Sequence, residues 1–370
     1  MRIGIPAETR PGETRVAATP ETVKKLAARH QVVVEAGAGV RASIPDAAYE
    51  AAGAAIVDSA AALGADMVLK VRSPDAAELA RMRPGTVLVG MLNPFDTENL
   101  AALASAGLSA FALEAAPRIT RAQSMDVLSS QANIAGYKAV MLAANTYGRF
   151  MPMLMTAAGT VKAARVLIMG VGVAGLQAIA TAKRLGAVIE ASDVRPPVKE
   201  QVESLGAKFI DVPYETDEER EIAKGVGGYA RPMPAGWMQR QAALVHERAR
   251  QADIIITTAL IPGRKAPVLI SEDTVKAMKP GSVIVDMAVE QGGNCPLTEL
   301  GRTVVKHGVH IIGEPNLAGL VPADASALYA RNVLDFLKLV IDKDDQFMID
   351  REDEIVRATL VCADGAVLRA

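Results

Sequence analysis

The 370-residue sequence has few cysteines, few histidines and only 4% aromatic residues, and neither sign of charge is in excess. Its 40 basic and 42 acidic residues give a net charge of −2. Nucleic-acid binders usually carry a basic excess or a clustered basic face, so we expect no nucleic-acid partner. The two cysteines, Cys295 and Cys362, form no CxxC pair, which is typical of reduced thiols. The four histidines form no HExxH pattern, so we predict no metal site.

Long apolar runs are also missing. The longest uncharged run, 166–182, contains three glycines and is shorter than the roughly 20 apolar residues that a membrane span needs. The first 13 residues, MRIGIPAETRPGE, contain no apolar stretch typical of a signal peptide. We therefore expect a soluble chain, and its length fits two domains.

Short β-branched runs alternate with Ala-rich segments of helical spacing along the chain, which predicts parallel sheets covered by helices. We predict strands in the first third at 2–6, 32–36, 55–58, 67–71, 86–91 and 108–114, with helices at 20–29 and 97–106. Six more are predicted at 165–169, 188–192, 208–212, 253–258, 282–287 and 310–314. The fold class is therefore α/β, with two doubly wound domains, the second a Rossmann dinucleotide-binding fold, and a cleft between them.

Domain boundaries follow from two departures from this rhythm. The stretch 119–140 is polar and then helical, which is typical of a hinge and a cleft wall. We expect an N-terminal Rossmann- or flavodoxin-like domain at 1–135 plus about 317–370, whose tail packs back on it, and a second domain at 136–316. The connection at about 213–238, an acidic block followed by glycines, fits a mobile functional loop and a solvated excursion equally well.

The segment 165–193 carries the strongest motif. Gly170, Gly172 and Gly175 have GxGxxG spacing between a predicted strand and a predicted helix. The first glycine permits the tight turn, the second admits a pyrophosphate, and the third lets the helix pack on the strand. Asp193 ends the next strand, where a carboxylate accepts hydrogen bonds from the adenosine ribose and repels a 2′-phosphate. Although Arg195 offers a cation to that phosphate, the motif predicts NAD(H) rather than NADP(H).

A catalytic acid or base is harder to find. A dehydrogenase of alcohols or amines must move a proton as well as a hydride, and it usually uses His, Lys or Asp for this. None of the four histidines has a persuasive catalytic context, although a Lys or Asp could serve instead. Hydride transfer between two nicotinamides needs no proton transfer at the reacting carbons, only alignment and exclusion of water.

Three segments resemble the NAD(H)-binding domain I of proton-translocating nicotinamide nucleotide transhydrogenases: RITRAQSMDVLSSQANIAGYKAV, MTAAGTVKAARVLIMGVGVAGLQAIATAKRLGAVIEASDVR and IITTALIPGRKAPVLI. The likeness extends from RIGIPAETRPGETRVAATP at the start to VDMAVEQGGNCPLTE and beyond, nearly the whole chain. That family is related to alanine dehydrogenase, which shares its fold and the GETRVA start.

The resemblance implies roles by position. In the family, the residues that match Arg118, Gln123, Asp126 and Ser129 surround the nicotinamide and its ribose, and Gln123 would bond the carboxamide or the neighbouring nucleotide. Tyr229 matches the tyrosine of the family's mobile loop, which closes over the nucleotide, and it completes the implied catalytic set. A polar hinge helix with an N-cap would explain 118–129 equally well without the resemblance. The full predicted cofactor-binding set is Gly170, Gly172, Val173, Ala174, Gly175, Asp193, Val194, Arg195, Gly228, Gln241 and Leu260.

The resemblance also implies the reaction and the partners. The chain would be part of an NAD(P)+ transhydrogenase that is Re/Si-specific and proton-translocating. It would pass hydride from NADH to NADP+, the NADP(H) being held by a partner domain or β subunit. A membrane-spanning subunit would couple this transfer to proton movement. The family further implies a homodimer and a cytoplasmic location, peripheral to the inner membrane through the partner subunits.

Two rival functions stay open. Alanine dehydrogenase holds its substrate carboxylate with an arginine and a lysine, which Arg15 and Lys70 match, and it uses a histidine as acid/base. Residues 90–95 read GMLNPF where that histidine would fall, which disfavours an alanine dehydrogenase-like enzyme. Arg15 and Lys70 then read better as structural ion-pair residues. The second rival is a nucleotide sensor that binds without turnover.

Overall fold

The computed structural model describes residues 1–224, 231, 233–261 and 263–368. The chain divides into two compact units. The first comprises Met1–Gln131 together with Ala318–Ala370, and the second comprises Ala132–Leu317. The polar stretch singled out in the sequence therefore contains the boundary between them.

Each unit is built on its own sheet. In chain order the strands are β1 (Arg2–Ile5), β2 (Gln31–Glu35), β3 (Ala55–Val57), β4 (Met67–Arg72), β5 (Val87–Met91), β6 (Ser109–Ala112), β7 (Leu154–Thr156), β8 (Gly159–Val161), β9 (Arg165–Met169), β10 (Val188–Ser192), β11 (Lys208–Phe209), β12 (Ile254–Thr257), β13 (Val283–Asp286), β14 (Thr303–Lys306), β15 (Val309–Ile312), β16 (Leu360–Ala363) and β17 (Ala366–Val367).

Helices connect and cover these strands. They are α1 (Pro20–Ala27), α2 (Asp46–Ala51), α3 (Ser59–Leu63), α4 (Ala76–Leu79), α5 (Thr97–Ser105), α6 (Val127–Thr146), α7 (Val173–Arg184), α8 (Val198–Ser204), α9 (Asp217–Ala223), α10 (Ala235–Ala249), α11 (Glu272–Ala277), α12 (Pro322–Val340) and α13 (Glu354–Thr359). Within the described ranges, none of them is both long enough and apolar enough to cross a membrane.

Both sheets have the doubly wound strand order. The first runs β17-β16-β6-β5-β4-β1-β2-β3 and the second runs β11-β10-β9-β12-β13-β15-β14. In each unit the six parallel strands lie in the order 3-2-1-4-5-6, the Rossmann order, which confirms the predicted fold class. Parallel strands are covered on both faces and so need continuous apolar sequences, as β12 and β13 show by being buried at every position.

All twelve predicted strands form, although two are shorter than expected. The strands predicted at 108–114 and 208–212 end at Ala112 and Phe209. The sequence did not predict the hairpin of β7 and β8, or β14 at the edge of the second sheet. The predicted return of the C-terminal tail to the first unit is confirmed, because β16 pairs antiparallel with β6 and Phe336 of α12 packs on Phe111 in the core.

Helix ends follow the local signals. Gly186 and Gly206 come just after α7 and α8 with positive φ angles of 84° and 77°, as predicted for glycines that end helices. The Ser271 side chain accepts a hydrogen bond from the Thr274 N–H and caps α11, also as predicted. In the connection at 213–238 the structure describes α9 and the start of α10, whereas 225–230 and 232 lie outside the described residues.

Candidate functional site

A tight turn joins β9 to α7 in the second unit. Gly170 occupies it with a φ of +95°, in the left-handed region that favours glycine. A Cβ at this position would lie 2.6 Å from the Thr258 hydroxyl, which donates a hydrogen bond to the Gly170 carbonyl at 2.9 Å. Only glycine therefore fits between β9 and the end of β12.

The other two glycines of the motif have different surroundings. A Cβ on Gly175 would lie 2.1 Å from the Gly170 carbonyl oxygen, so Gly175 allows α7 to approach the turn closely. Gly172 is the N-cap of α7, and a Cβ there would meet open space. Val173 and Ala174 start the helix, where the first backbone N–H groups have no partners within the helix. This arrangement leaves room for an anion at the N-terminus of α7.

A fourth glycine, which the sequence analysis did not single out, supports this turn. Gly136 lies inside α6, and a Cβ there would be 2.2 Å from the Ala174 carbonyl oxygen. The backbones of α6 and α7 are therefore in contact at the first turn of α7. An isolated glycine within a helical stretch is the signal that could have revealed it, because such a glycine usually has a packing reason.

Asp193 follows β10 next to the glycine turn. Its carboxylate accepts hydrogen bonds from the Val171 N–H at 2.7 Å and from the backbone N–H of Arg195 at 2.9 Å. The Arg195 guanidinium adds two more through Nε and Nη2, each at 2.9 Å. The paired carboxylate raises the pKa of Arg195. The predicted ribose acceptor and the predicted cation are therefore bound to each other.

A buried carboxylate that the sequence analysis missed holds the segment after β12. Asp286 is fully buried and accepts hydrogen bonds from Thr298 Oγ1 and from three backbone N–H groups, including that of Asn294 at 3.1 Å. The Asn294 amide bonds both the N–H and the carbonyl of Ala259. Through these bonds the structure fixes the backbone beside Leu260, whose side chain is half-exposed.

The remaining predicted cofactor residues of this unit have varied surroundings. The carbonyl of Val194 accepts a hydrogen bond from the Tyr214 hydroxyl at 3.1 Å, and the Tyr214 ring stacks on Trp237 of α10 with 6.2 Å between centroids. Gln241 is buried in the same helix. The predictions for Gly228 and Tyr229 lie outside the described residues.

The predicted nicotinamide group lies in the first unit. Arg118 and Gln123 are exposed, Gln123 in the 3₁₀ turn Thr120–Met125 that leads into α6. Asp126 lies immediately before α6, where its carboxylate accepts hydrogen bonds from the Ser129 N–H at 2.8 Å and from the Ser129 hydroxyl at 2.6 Å. The segment is therefore a polar turn with an N-cap, and its exposed polar groups are available to a ligand.

Arg15 and Lys70 form buried ion pairs, also in the first unit. Arg15 pairs with Glu13 at 2.7 Å, and Lys70 pairs with Glu78 at 2.8 Å and with Glu8 at 3.4 Å. Burial alone would lower the pKa of Lys70, but its two carboxylate partners outweigh it and raise the pKa. This geometry agrees with the structural reading of both cations.

Glu13 shows the same competition with the opposite sign. Burial raises its pKa, but hydrogen bonds and attraction from Arg15, with Arg72 at 3.0 Å, outweigh burial and lower the pKa to about 2.

The histidines all lie in the described part of the chain, away from the glycine turn in sequence. Nδ1 of His246 contacts the Thr274 hydroxyl, and Nε2 of His307 contacts Glu272. His310 lies within β15, as the predicted strand requires, and His30 lies between α1 and β2. None of them belongs to the turns that carry Gly170 or Asp193.

With this geometry in hand, comparisons with known proteins add a family. Residues 4–135 match the family description "Alanine dehydrogenase/PNT, N-terminal domain", and residues 139–370 match "Alanine dehydrogenase/PNT, C-terminal domain". The chain is 54% identical to the first of the polypeptides that make up the NAD(P) transhydrogenase alpha subunit of Rhodospirillum rubrum, covering all of this chain and 98% of that protein.

Two further relatives extend the comparison. The solved structure of transhydrogenase from Sinorhizobium meliloti superimposes with a TM-score of 0.89 and 50% identity over 99% of this chain and all of that one. Alanine dehydrogenase of Mycobacterium tuberculosis is 33% identical over 79% of this chain and 74% of that enzyme. The chain therefore belongs to the alanine dehydrogenase/PNT family, in which it is similar over its whole length to transhydrogenase alpha subunits.

Proposed function

We propose that this chain is the NAD(H)-binding component of a proton-translocating, Re/Si-specific NAD(P)+ transhydrogenase. The observation that carries the proposal is the turn from β9 to α7. It combines a left-handed Gly170, an open Gly172, a closely packed Gly175 and an acidic residue at the end of the next strand. The relative from Rhodospirillum rubrum, a transhydrogenase alpha subunit by name, supports the same activity.

NAD(H) fits these residues. The pyrophosphate would lie against Gly172, where a Cβ would point into free space, and the N–H groups of Val173 and Ala174 would donate to it. Asp193 would bind the adenosine ribose, and Leu260 and Gln241 would line the nucleotide. Gly228 would give the bend that lets Tyr229 close over it, as the family resemblance implies.

The reaction we propose is direct hydride transfer from NADH to NADP+, the NADP(H) being held by a partner domain or β subunit. NADH supplies the hydride, so this chain's side chains need only align the ring and exclude water. We assign Arg118, Gln123, Asp126 and Ser129 to orienting the nicotinamide and its ribose. The positions of the four histidines support the proposal, because none is placed in the two turns of the nucleotide site.

We further propose a homodimer that a membrane-spanning subunit holds at the cytoplasmic face of the inner membrane and couples to proton movement. The hairpin of β7 and β8 supports self-association, because Met153 and Met155 there are 61% and 71% exposed. Exposed apolar side chains grouped on a projecting hairpin are typical of a protein interface.

Mixing the chain with a purified NADP(H)-binding partner tests the proposal. We expect deuterium from the nicotinamide C4 of labelled NADH to appear in NADPH, and we expect the isolated chain to bind NADH more tightly than NADPH. Tight NADH binding without label transfer would overturn the transhydrogenase assignment and leave the nucleotide sensor.

The alanine dehydrogenase-like alternative is tested in the same preparation. NADH formed from NAD+ and L-alanine by the chain alone would favour it. We expect none, because residues 90–95 contain no histidine and Arg15 and Lys70 are already bound by buried carboxylates.

A further inference from the structure

The Asp193 carboxylate has no acceptor position left for a ligand in this structure. An ionised carboxylate offers about four lone-pair positions. Asp193 uses Oδ1 for the backbone N–H and Nε of Arg195, and Oδ2 for the Val171 N–H and Nη2 of Arg195. A ribose diol can bind this carboxylate only by displacing bonds from the guanidinium.

The pair lies where the adenosine ribose falls in a Rossmann fold. β10 pairs with β9 in register up to Ser192 and Met169, and the Gly170 N–H donates to the Ser192 carbonyl at 2.9 Å. Asp193 is the next residue, so its side chain lies at the carboxyl edge of the sheet beside the glycine turn. A phosphate on the ribose 2′-oxygen would arrive at this same place.

The charges of the pair cancel. The Arg195 guanidinium is 18% exposed and the Asp193 carboxylate 6% exposed, so the pair is largely withdrawn from solvent. A planar guanidinium binds phosphate oxygens with two parallel N–H groups, and here Nε and Nη2 are spent on the carboxylate instead. Removing the carboxylate charge would leave a cation with two well-aimed donors at the 2′ position.

A second cation lies close by. Lys199 of α8 lines the same small cavity as Asp193, together with Tyr214 and Trp237, and it is paired with the exposed Asp211 at 2.7 Å. The cavity therefore has basic groups on the side from which a 2′-phosphate would extend.

We infer that Arg195 is a latent receptor for an adenosine 2′-phosphate and that the Asp193 carboxylate keeps it occupied. Nucleotide choice is then set by the pair rather than by Asp193 alone. A single substitution that removes the carboxylate charge should create affinity for NADP(H) without any added basic residue. This inference rests on the proposed function, since it takes the NAD(H) site as given.

The test compares Asp193→Asn with the double variant Asp193→Asn/Arg195→Gln and with the unaltered chain. The probes are 2′,5′-ADP and 5′-AMP, which differ only in the 2′-phosphate, and binding is measured by calorimetry. The chain's single tryptophan, Trp237, is coupled through Tyr214 to Val194 and gives an independent fluorescence signal.

We expect Asp193→Asn to prefer 2′,5′-ADP over 5′-AMP by about ten- to a hundred-fold, the gain of a charge-assisted contact. The double variant should show almost no preference, and the unaltered chain should prefer 5′-AMP. Equal preference in the single and double variants would overturn the inference. If Asp193→Asn does not fold, Asp193→Ser tests the same point with a smaller side chain.

The outcome also separates this inference from the proposed function. An unaltered chain that binds neither NADH nor 5′-AMP would refute the NAD(H) site itself. An unaltered chain that binds NADH, together with variants that gain nothing for 2′,5′-ADP, would refute only the role of Arg195.

Discussion

The Asp126 carboxylate accepts two hydrogen bonds from Ser129, one from its backbone N–H at 2.8 Å and one from its hydroxyl at 2.6 Å. The first bond caps α6 and satisfies one of the donors that every helix start leaves without a partner. The second orients the Ser129 hydroxyl. Asp126 can therefore stabilise the helix and hold a ligand-facing group at the same time, and substitutions can separate the two roles.

Asp126→Asn should separate them. Asparagine caps a helix about as well as aspartate, so the free energy of unfolding should change by no more than about 1 kcal/mol. If the charge orients the nicotinamide ribose, hydride transfer in the reconstituted complex should fall by about ten-fold or more. Urea unfolding and the label-transfer assay measure the two effects. Ser129→Ala is the control that keeps the carboxylate and loses only the hydroxyl. Unchanged transfer in Asp126→Asn would remove the case for its catalytic role.

The glycine turn offers a matched pair of variants. A Cβ on Gly175 meets the Gly170 carbonyl at 2.1 Å, so Gly175→Ala should lower the free energy of unfolding by about 1–3 kcal/mol. A Cβ on Gly172 meets nothing within 4 Å, so Gly172→Ala should cost no more than about 1 kcal/mol. Both should weaken NADH binding, Gly172→Ala by filling the space of the pyrophosphate. Undiminished NADH affinity in Gly172→Ala would mean that the pyrophosphate does not lie there.

Glu13 should make the protein sensitive to acid. Its pKa is lowered from 4.5 to about 2, so its contribution to stability is fully present above pH 4.5 and is lost as the pH falls towards 2. Glu13→Gln should lack this part of the acid loss. It should also lose about 3–5 kcal/mol at neutral pH, because Arg15 stays buried without its charged partner.

Urea unfolding at a series of pH values checks the Glu13 prediction. The exposed Glu50 provides a control variant, Glu50→Gln, that should follow the parent chain throughout. If Glu13→Gln and the parent chain lose equal stability between pH 4.5 and 2, the ion pair does not lower the pKa of Glu13.

Glu114 should act in the opposite direction. Burial raises its pKa to about 6, although backbone N–H groups, including that of Asn93 at 2.6 Å, partly oppose the rise. Its stabilising effect is therefore present below pH 4.5 and is lost as the pH rises through 6. Glu114→Gln stays neutral, so above pH 6 it should be more stable than the parent chain by up to about 2 kcal/mol. Melting temperatures at pH 7.5 and 4 test this. A less stable variant at pH 7.5 would contradict it.

The sequence alone predicted the elements that depend on neighbouring residues. The strands at 165–169 and 188–192 form with the predicted bounds, since a continuous apolar run bounded by glycine or charge is read locally. The spacing of Gly170, Gly172 and Gly175 also carries its own reason, because a left-handed φ and a close helix approach each require glycine at a defined position. The family followed from these segments together with RAQSMD.

Other features were decided only by the path of the chain. Gly136 is needed because α6 passes Ala174, and Asp286 matters because donors from Thr257 to Thr298 converge on it. β16 completes a sheet that begins more than 350 residues earlier. Asp193 was predicted as the ribose acceptor, but only the folded turn shows its carboxylate filled by Arg195. Contacts of this kind depend on which distant segments the fold brings together, and no local pattern in the sequence encodes that.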